Sequence, residues 1–174
     1  MALFNLFSQS PLTLRDLVNV DSGRVERSQL LSVNLDKVYY RVKKESLWDK
    51  IRSLFKRNNT SINMYYVILK FSVFSPSGNT YNVIIEFQPN PNLNNLFNNR
   101  VRVYCDCPSF KFQSAYLLNK KGSLFRSSKT DVKLGQAITD APDPRRTKTS
   151  TICKHTLACI RWISDNINYV MKLV

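Results

Sequence analysis

The stretch RVRVYCDCP, residues 100–108, decides the fold of this chain. Side chains alternate between the two faces of a β-strand, so its two valines share one face with Cys105 and Cys107. Pro108 has no backbone N–H to offer a neighbouring strand, and it therefore helps to turn the chain. The stretch predicts a strand whose apolar face leads directly into a Cys-x-Cys pair.

A second pair of potential ligands, Cys153 and His155, stands at the start of a helix predicted from about Thr151 to the C-terminus. Structural zinc takes four thiolate or imidazole ligands, which commonly arrive as two close pairs from distant parts of a chain. We therefore predict a Zn²⁺ site formed by Cys105, Cys107, Cys153 and His155. The alternative is that the thiols are small buried hydrophobes. Cys159 is then either a packed thiol or a substitute ligand.

These two motifs resemble the SWIM zinc finger, in which C-x-C is followed at a distance by C-x-H. The 45 residues from Pro108 to Ile152 make the spacer longer than is usual in that family. The segments CPSFKF (107–112) and AYLLNKKG (115–122) also resemble segments of small proteins encoded by large tailed bacteriophages. The resemblance implies zinc held between a strand hairpin and a following helix, DNA or protein binding, and a place in a virion assembled in the host cytoplasm.

Hydrophobic periodicity places the other elements. Alternating apolar residues predict strands, the first with a bulge near residue 36 and the next two joined as a hairpin, whereas a spacing of three and four residues after Ser46 predicts a helix. A further helix is predicted from Ser109, acting as its cap, to Lys121. We expect an α+β fold: a small antiparallel sheet packed with a few helices, the zinc site joining a strand end to the C-terminal helix. The predicted strands are Leu31–Val42, Tyr65–Phe74, Tyr81–Gln88 and Arg100–Cys105.

The chain divides into a docking arm at residues 1–30 and a single α+β domain at 31–174, with a long basic insertion at about 120–152. The apolar side chains of the arm would pack either on the domain's own surface or on a neighbouring chain. They are Leu3, Phe4, Leu6 and Phe7. The cations of the insertion are candidates for contact with an anion or an acidic partner. They include Lys120, Lys121, Arg126, Arg145, Arg146 and Lys148.

Charge and composition narrow the function classes. The 26 Lys and Arg residues against 12 Asp and Glu give a net charge of +14, which indicates an anionic partner. One histidine and no His-Glu-x-x-His pattern leave little for acid–base chemistry, so we expect no enzyme and no small-molecule substrate. Its apolar runs are too short for a membrane span, and its first residues do not fit the pattern of a secretory signal, so we expect neither feature.

Two functions remain open at this point. The first is a non-enzymatic, zinc-stabilised structural protein that contacts neighbouring protein subunits of an assembly, as a component of a phage virion. The second is a SWIM-type nucleic-acid-binding module. It would use the basic insertion and the strand face that carries Arg100, Arg102 and Tyr104.

Overall fold

A computed structural model of the chain describes residues 11–18, 22–42, 65–89, 91–140 and 152–173. Within these ranges the fold is α+β, as predicted, with one four-stranded antiparallel sheet in the order β1-β2-β3-β4 and six α-helices. The strands are β1 (Ser32–Val42), β2 (Tyr65–Phe74), β3 (Thr80–Phe87) and β4 (Val101–Cys105). The predicted helix after Ser46 lies outside the described residues.

Six α-helices belong to the described residues. They are α1 (Leu14–Val18), α2 (Ser22–Gln29), α3 (Ala115–Lys120), α4 (Ser128–Leu134), α5 (Lys154–Asp165) and α6 (Ile167–Leu173). A π-helical turn, Phe110–Ser114, leads into α3, and short 3-10 helices occupy Leu93–Asn98 and Gly135–Ile138.

The register of the sheet follows the predicted pattern. The bulge in β1 falls between Leu35 and Lys37, where one extra residue interrupts the pairing with β2. Strands β2 and β3 form the predicted hairpin. Gly78 sits in its turn with a φ of +82°, a left-handed conformation that glycine adopts without steric cost.

One face of the sheet packs against α5 and forms the core. Phe71 of β2 is fully buried and meets Trp162 of α5 edge to face, with ring centroids 5.6 Å apart. The single C-terminal helix predicted from the sequence is two helices. Asn166 donates a side-chain hydrogen bond of 2.9 Å to the carbonyl oxygen of Trp162, and α6 starts at the next residue. An Asn side chain that bonds the backbone in this way competes with a continuous helix.

The predicted boundary at residue 30 is not a boundary of the fold. Helix α1 buries Leu14 and Leu17 completely, and the backbone of Leu12 accepts a hydrogen bond of 2.9 Å from Val101 of β4. Helix α2 packs against α5. Residues 11–18 and 22–30 therefore belong to the domain and not to a separate arm. The apolar residues of the predicted arm lie outside the described residues, and their packing on a partner stays a prediction: Leu3, Phe4, Leu6 and Phe7.

The first part of the predicted basic insertion is packed structure. Leu124 forms a parallel bridge with Val103 of β4. Helix α4 starts at a capping box in which Ser127 and Thr130 bond each other's backbone N–H groups. The high charge of this segment obscured its apolar residues, which the structure buries: Leu124, Phe125, Leu134 and Ile138.

Candidate metal centre

Four predicted ligands come together where the end of β4 meets the start of α5. The ligand atoms of Cys105, Cys107, Cys153 and His155, one from each residue, all lie within 4.8 Å of one another. All four side chains are buried, and His155 is the most exposed at 3%. Three sulfurs and an imidazole in so small and dry a space form a possible metal site.

Two of the sulfurs are held at helix starts. Cys107 Sγ accepts a hydrogen bond of 3.3 Å from the backbone N–H of Phe110, and Cys153 Sγ accepts one of 3.5 Å from Thr156. Backbone N–H groups at a helix N-terminus favour negative charge and therefore the thiolate form that binds metals. The predicted cap, Ser109, instead bonds the side chain of Gln113, so the metal-site cysteine takes the capping position.

The turn between the first two cysteines is tied to the neighbouring strand. The carboxylate of Asp106 accepts hydrogen bonds from the backbone N–H of Asn82 at 2.8 Å and from its side-chain amide at 2.9 Å. The ring of Tyr81 packs on His155 with a centroid separation of 4.3 Å. Sequence reasoning assigned no role to these three residues. Asp106 lies within the Cys-x-Cys pair itself, whereas Asn82 and Tyr81 reach the site only through the tertiary position of β3.

The pKa values of the three thiols shift in different directions. Burial is the largest effect on Cys105 and raises its pKa well above the ordinary value. A hydrogen bond with Cys105 acts to lower the pKa of Cys107. The hydrogen bond with Cys153 and burial act in the opposite direction and outweigh it, so the pKa of Cys107 is raised to about 12. Burial also acts to raise the pKa of Cys153, yet hydrogen bonds led by those from Cys105 and Cys107 outweigh it and lower that pKa. A bound metal ion deprotonates a coordinating thiol, so it would offset the rise in pKa that burial imposes on Cys105 and Cys107.

The imidazole also lacks partners. Both ring nitrogens of His155 are buried, and neither has a hydrogen-bond partner among the residues that the structure describes. Buried polar atoms are nearly always paired, because an unpaired one loses its hydration without compensation. A metal ion bound at one nitrogen would remove that deficit. The donor set and this orphaned imidazole therefore fit a metal ion.

The remaining candidate residues stand apart from this cluster. Cys159 is fully buried in the core and does not belong to the group, as expected for a packed thiol. Lys120 is exposed, with Nζ 5.4 Å from the ring centroid of Tyr116, and Lys121 is half-buried. Arg126 is exposed and pairs with Asp131 at 3.0 Å. The other basic candidates lie outside the described residues: Arg145, Arg146 and Lys148.

Comparison of the chain with protein-family models, with curated proteins and with solved structures gives no match. The resemblance to SWIM fingers and phage proteins therefore rests on the quoted motifs alone. Among the helices that the structure describes, none has the length and apolar character required to cross a membrane.

Proposed function

We propose that this protein is a non-enzymatic, zinc-stabilised structural and interaction protein that acts as a subunit of a tailed-phage virion, in its neck, tail or baseplate. The observation that carries this proposal is the buried cluster of three cysteines and one histidine. It links a strand of the sheet to the start of the helix that packs on the sheet, so a bound ion would brace the fold itself.

Zinc is the metal that suits these donors. Thiolate and imidazole ligands in a set of four are typical of structural Zn²⁺, whereas Ca²⁺ and Mg²⁺ take oxygen ligands and iron–sulfur clusters usually take four cysteines. The burial of all four residues supports a closed site of this kind. Binding would then contribute directly to the free energy of folding.

The same features support a role without catalysis. A catalytic zinc keeps one coordination position open for water or substrate, whereas here the protein offers four ligands. The carboxylate nearest in sequence, Asp106, is held by two hydrogen bonds from Asn82 and is not poised as a general base. A role in contacting other protein subunits agrees with the phage resemblance.

Metal analysis of the purified protein tests the zinc. We expect about one zinc per chain, release of that zinc by a strong chelator, and unfolding that follows the release. The Co²⁺-substituted protein should show sulfur-to-cobalt charge-transfer absorption, which reports thiolate ligation. Less than half an equivalent of zinc, together with thiols that react freely in the folded protein, would contradict the assignment.

Nucleic-acid binding is the second candidate function. Helix α3 and the turn before it favour it, because Phe112 is 61% exposed and Lys111 Nζ lies 5.7 Å from the centroid of its ring. An exposed aromatic ring beside cations can stack on an unpaired base. The net charge of +14 adds attraction for phosphates.

Two variants, a truncation and a triple substitution, distinguish these two candidate functions. For a virion subunit, removal of residues 1–10 should abolish incorporation and leave the metal-bound domain folded. For a nucleic-acid binder, neutralising Arg145, Arg146 and Lys148 should weaken binding and flatten its salt dependence, because fewer counterions are released. Normal assembly without residues 1–10, combined with lost DNA or RNA binding in the triple variant, would favour the second candidate.

A further inference from the structure

A cleft of about 320 Å³ opens on the side of the sheet opposite α5. Three arginines from different parts of the chain line it: Arg41 of β1, Arg102 of β4 and Arg126 ahead of α4. The other lining residues are Glu86, Asn119, Gly122 and Leu124. Three guanidinium groups against one carboxylate leave the lining with a net positive charge.

The carboxylate at the base of the cleft is Glu86 of β3, which is 1% exposed. It forms ion pairs with Arg41 and, at 3.4 Å, with Arg102. Burying an ion pair contributes little net stability, because the desolvation of both charges offsets their attraction. The arrangement is better explained by its effect on the position of the arginines. Glu86 holds Arg41 and Arg102, which come from the two edge strands of the sheet, close to each other.

The arginines are held in place but are not saturated. Arg41 also packs on Tyr66, with Cζ 4.8 Å from the ring centroid, and Arg102 Nε donates to the carbonyl oxygen of Gly122 at 3.4 Å. A guanidinium group carries five N–H donors. Among the residues that the structure describes, Glu86 receives one contact from each of these arginines, so several donors remain for a ligand.

We propose that this cleft binds a phosphate group. Arginine's planar fork matches two oxygens of a phosphate at once, and guanidinium groups fixed in advance lose little freedom on binding. Arg126 supplies a third cation at the rim, although its pairing with Asp131 reduces the local charge. The phosphate comes either from a small free phosphate compound or from a nucleic-acid strand, which share this chemistry. The cleft does not involve the metal cluster, so the proposal stands or falls separately from the proposed function.

Calorimetric titration at low salt with inorganic phosphate, pyrophosphate and a short single-stranded DNA tests this inference. We expect binding of at least one of these probes, and a loss of about tenfold or more in affinity for Arg102→Gln, since a charge-assisted hydrogen bond contributes on that scale. Because Arg102 also contacts Glu86, Arg126→Gln is the second variant. Its ion pair is exposed, so the fold should tolerate the change.

Arg15→Gln is the matched control, because Arg15 is an exposed arginine of α1 that does not line the cleft. It should bind every probe like the wild type. A loss limited to phosphate and pyrophosphate assigns the cleft to a small compound, and a loss limited to the DNA assigns it to a strand. The proposal is overturned if no probe binds, or if the Arg102 and Arg126 variants bind all three probes as tightly as the control.

Discussion

The cysteine cluster and the arginine-lined cleft are built on the same two strands but differ in almost every physical respect. Cys105 pairs with Val83, and Arg102 pairs with Glu86, along the ladder between β3 and β4. One strand thus sends a thiol to the face that packs on α5 and a guanidinium group to the other face. The cluster is dry throughout, whereas Arg41 and Arg102 are 46% and 37% exposed.

This difference shows that burial decides whether a polar group requires a partner to compensate for its lost hydration. The buried thiols and imidazole are shielded from water, so the proposed metal ion would compensate them and would stabilise the fold. The arginines of the cleft remain hydrated and carry their own charge partner. Loss of one group should therefore be severe in the cluster and mild in the cleft.

The largest effect is expected for Cys153→Ser. This change removes a sulfur ligand and the bound metal with it, and we expect the free energy of unfolding to fall by about 3 kcal/mol or more. Urea unfolding and metal content of the same samples measure both effects. Cys159→Ser, at an equally buried cysteine outside the cluster, is the control and should retain the metal. If Cys159→Ser loses the metal and Cys153→Ser keeps it, the ligand assignment is wrong.

A moderate effect is expected for Asp106→Ala. The change frees the turn between Cys105 and Cys107 from Asn82, and loss of such a supporting contact typically lowers metal affinity about 10- to 100-fold. Competition with a chromophoric chelator measures this affinity. Asp165→Ala, at an exposed carboxylate near the end of α5, should leave the affinity unchanged. Equal affinities for both variants would show that Asp106 does not support the site.

The smallest effect is expected for Glu86→Gln, and it depends on pH. Burial raises the pKa of Glu86 above its ordinary value, although Arg41 and Arg102 act to lower it. A raised pKa in the folded protein means that Glu86 contributes most to the free energy of unfolding below its ordinary pKa. This contribution is lost as the pH rises through the folded-state pKa. Gln does not titrate, so the free energy of unfolding of the variant should rise relative to that of the wild type over this pH range.

Urea unfolding of wild type and Glu86→Gln at a series of pH values above 4 measures this difference, with the exposed Glu26→Gln of α2 as the control. Because Glu86 is buried and Glu26 is exposed, the pH dependence should be larger for Glu86→Gln than for the control. A wild-type advantage over Glu86→Gln that grows with pH would mean that the arginines hold the pKa of Glu86 below its ordinary value.

Sequence patterns predicted the elements that depend on neighbours in the chain. Alternation identified the four strands, and the apolar spacing after Thr151 identified a core helix that the structure divides at Asn166. Sequence patterns did not predict the structure of segments whose packing depends on tertiary contacts. The sequence pattern places helix α1 in the arm, because nothing local shows that Leu14 and Leu17 are buried where α1 packs on α5 and on the 3-10 helix Leu93–Asn98. The charges of the segment that includes α4 predict a basic insertion, and nothing in its local pattern shows that Leu124, Phe125 and Leu134 are buried.

The sequence by itself determined the cluster of Cys105, Cys107, Cys153 and His155 as a candidate metal site, because residues two apart on a strand share a face and the pairs flank a strand end and a helix start. Only the tertiary structure decided that the two pairs meet within ligand distance, and that Asp106 is anchored by Asn82. It alone brought Glu86 together with Arg41 and Arg102. Those three residues belong to three strands, and their meeting depends on strand register, which no local spacing encodes.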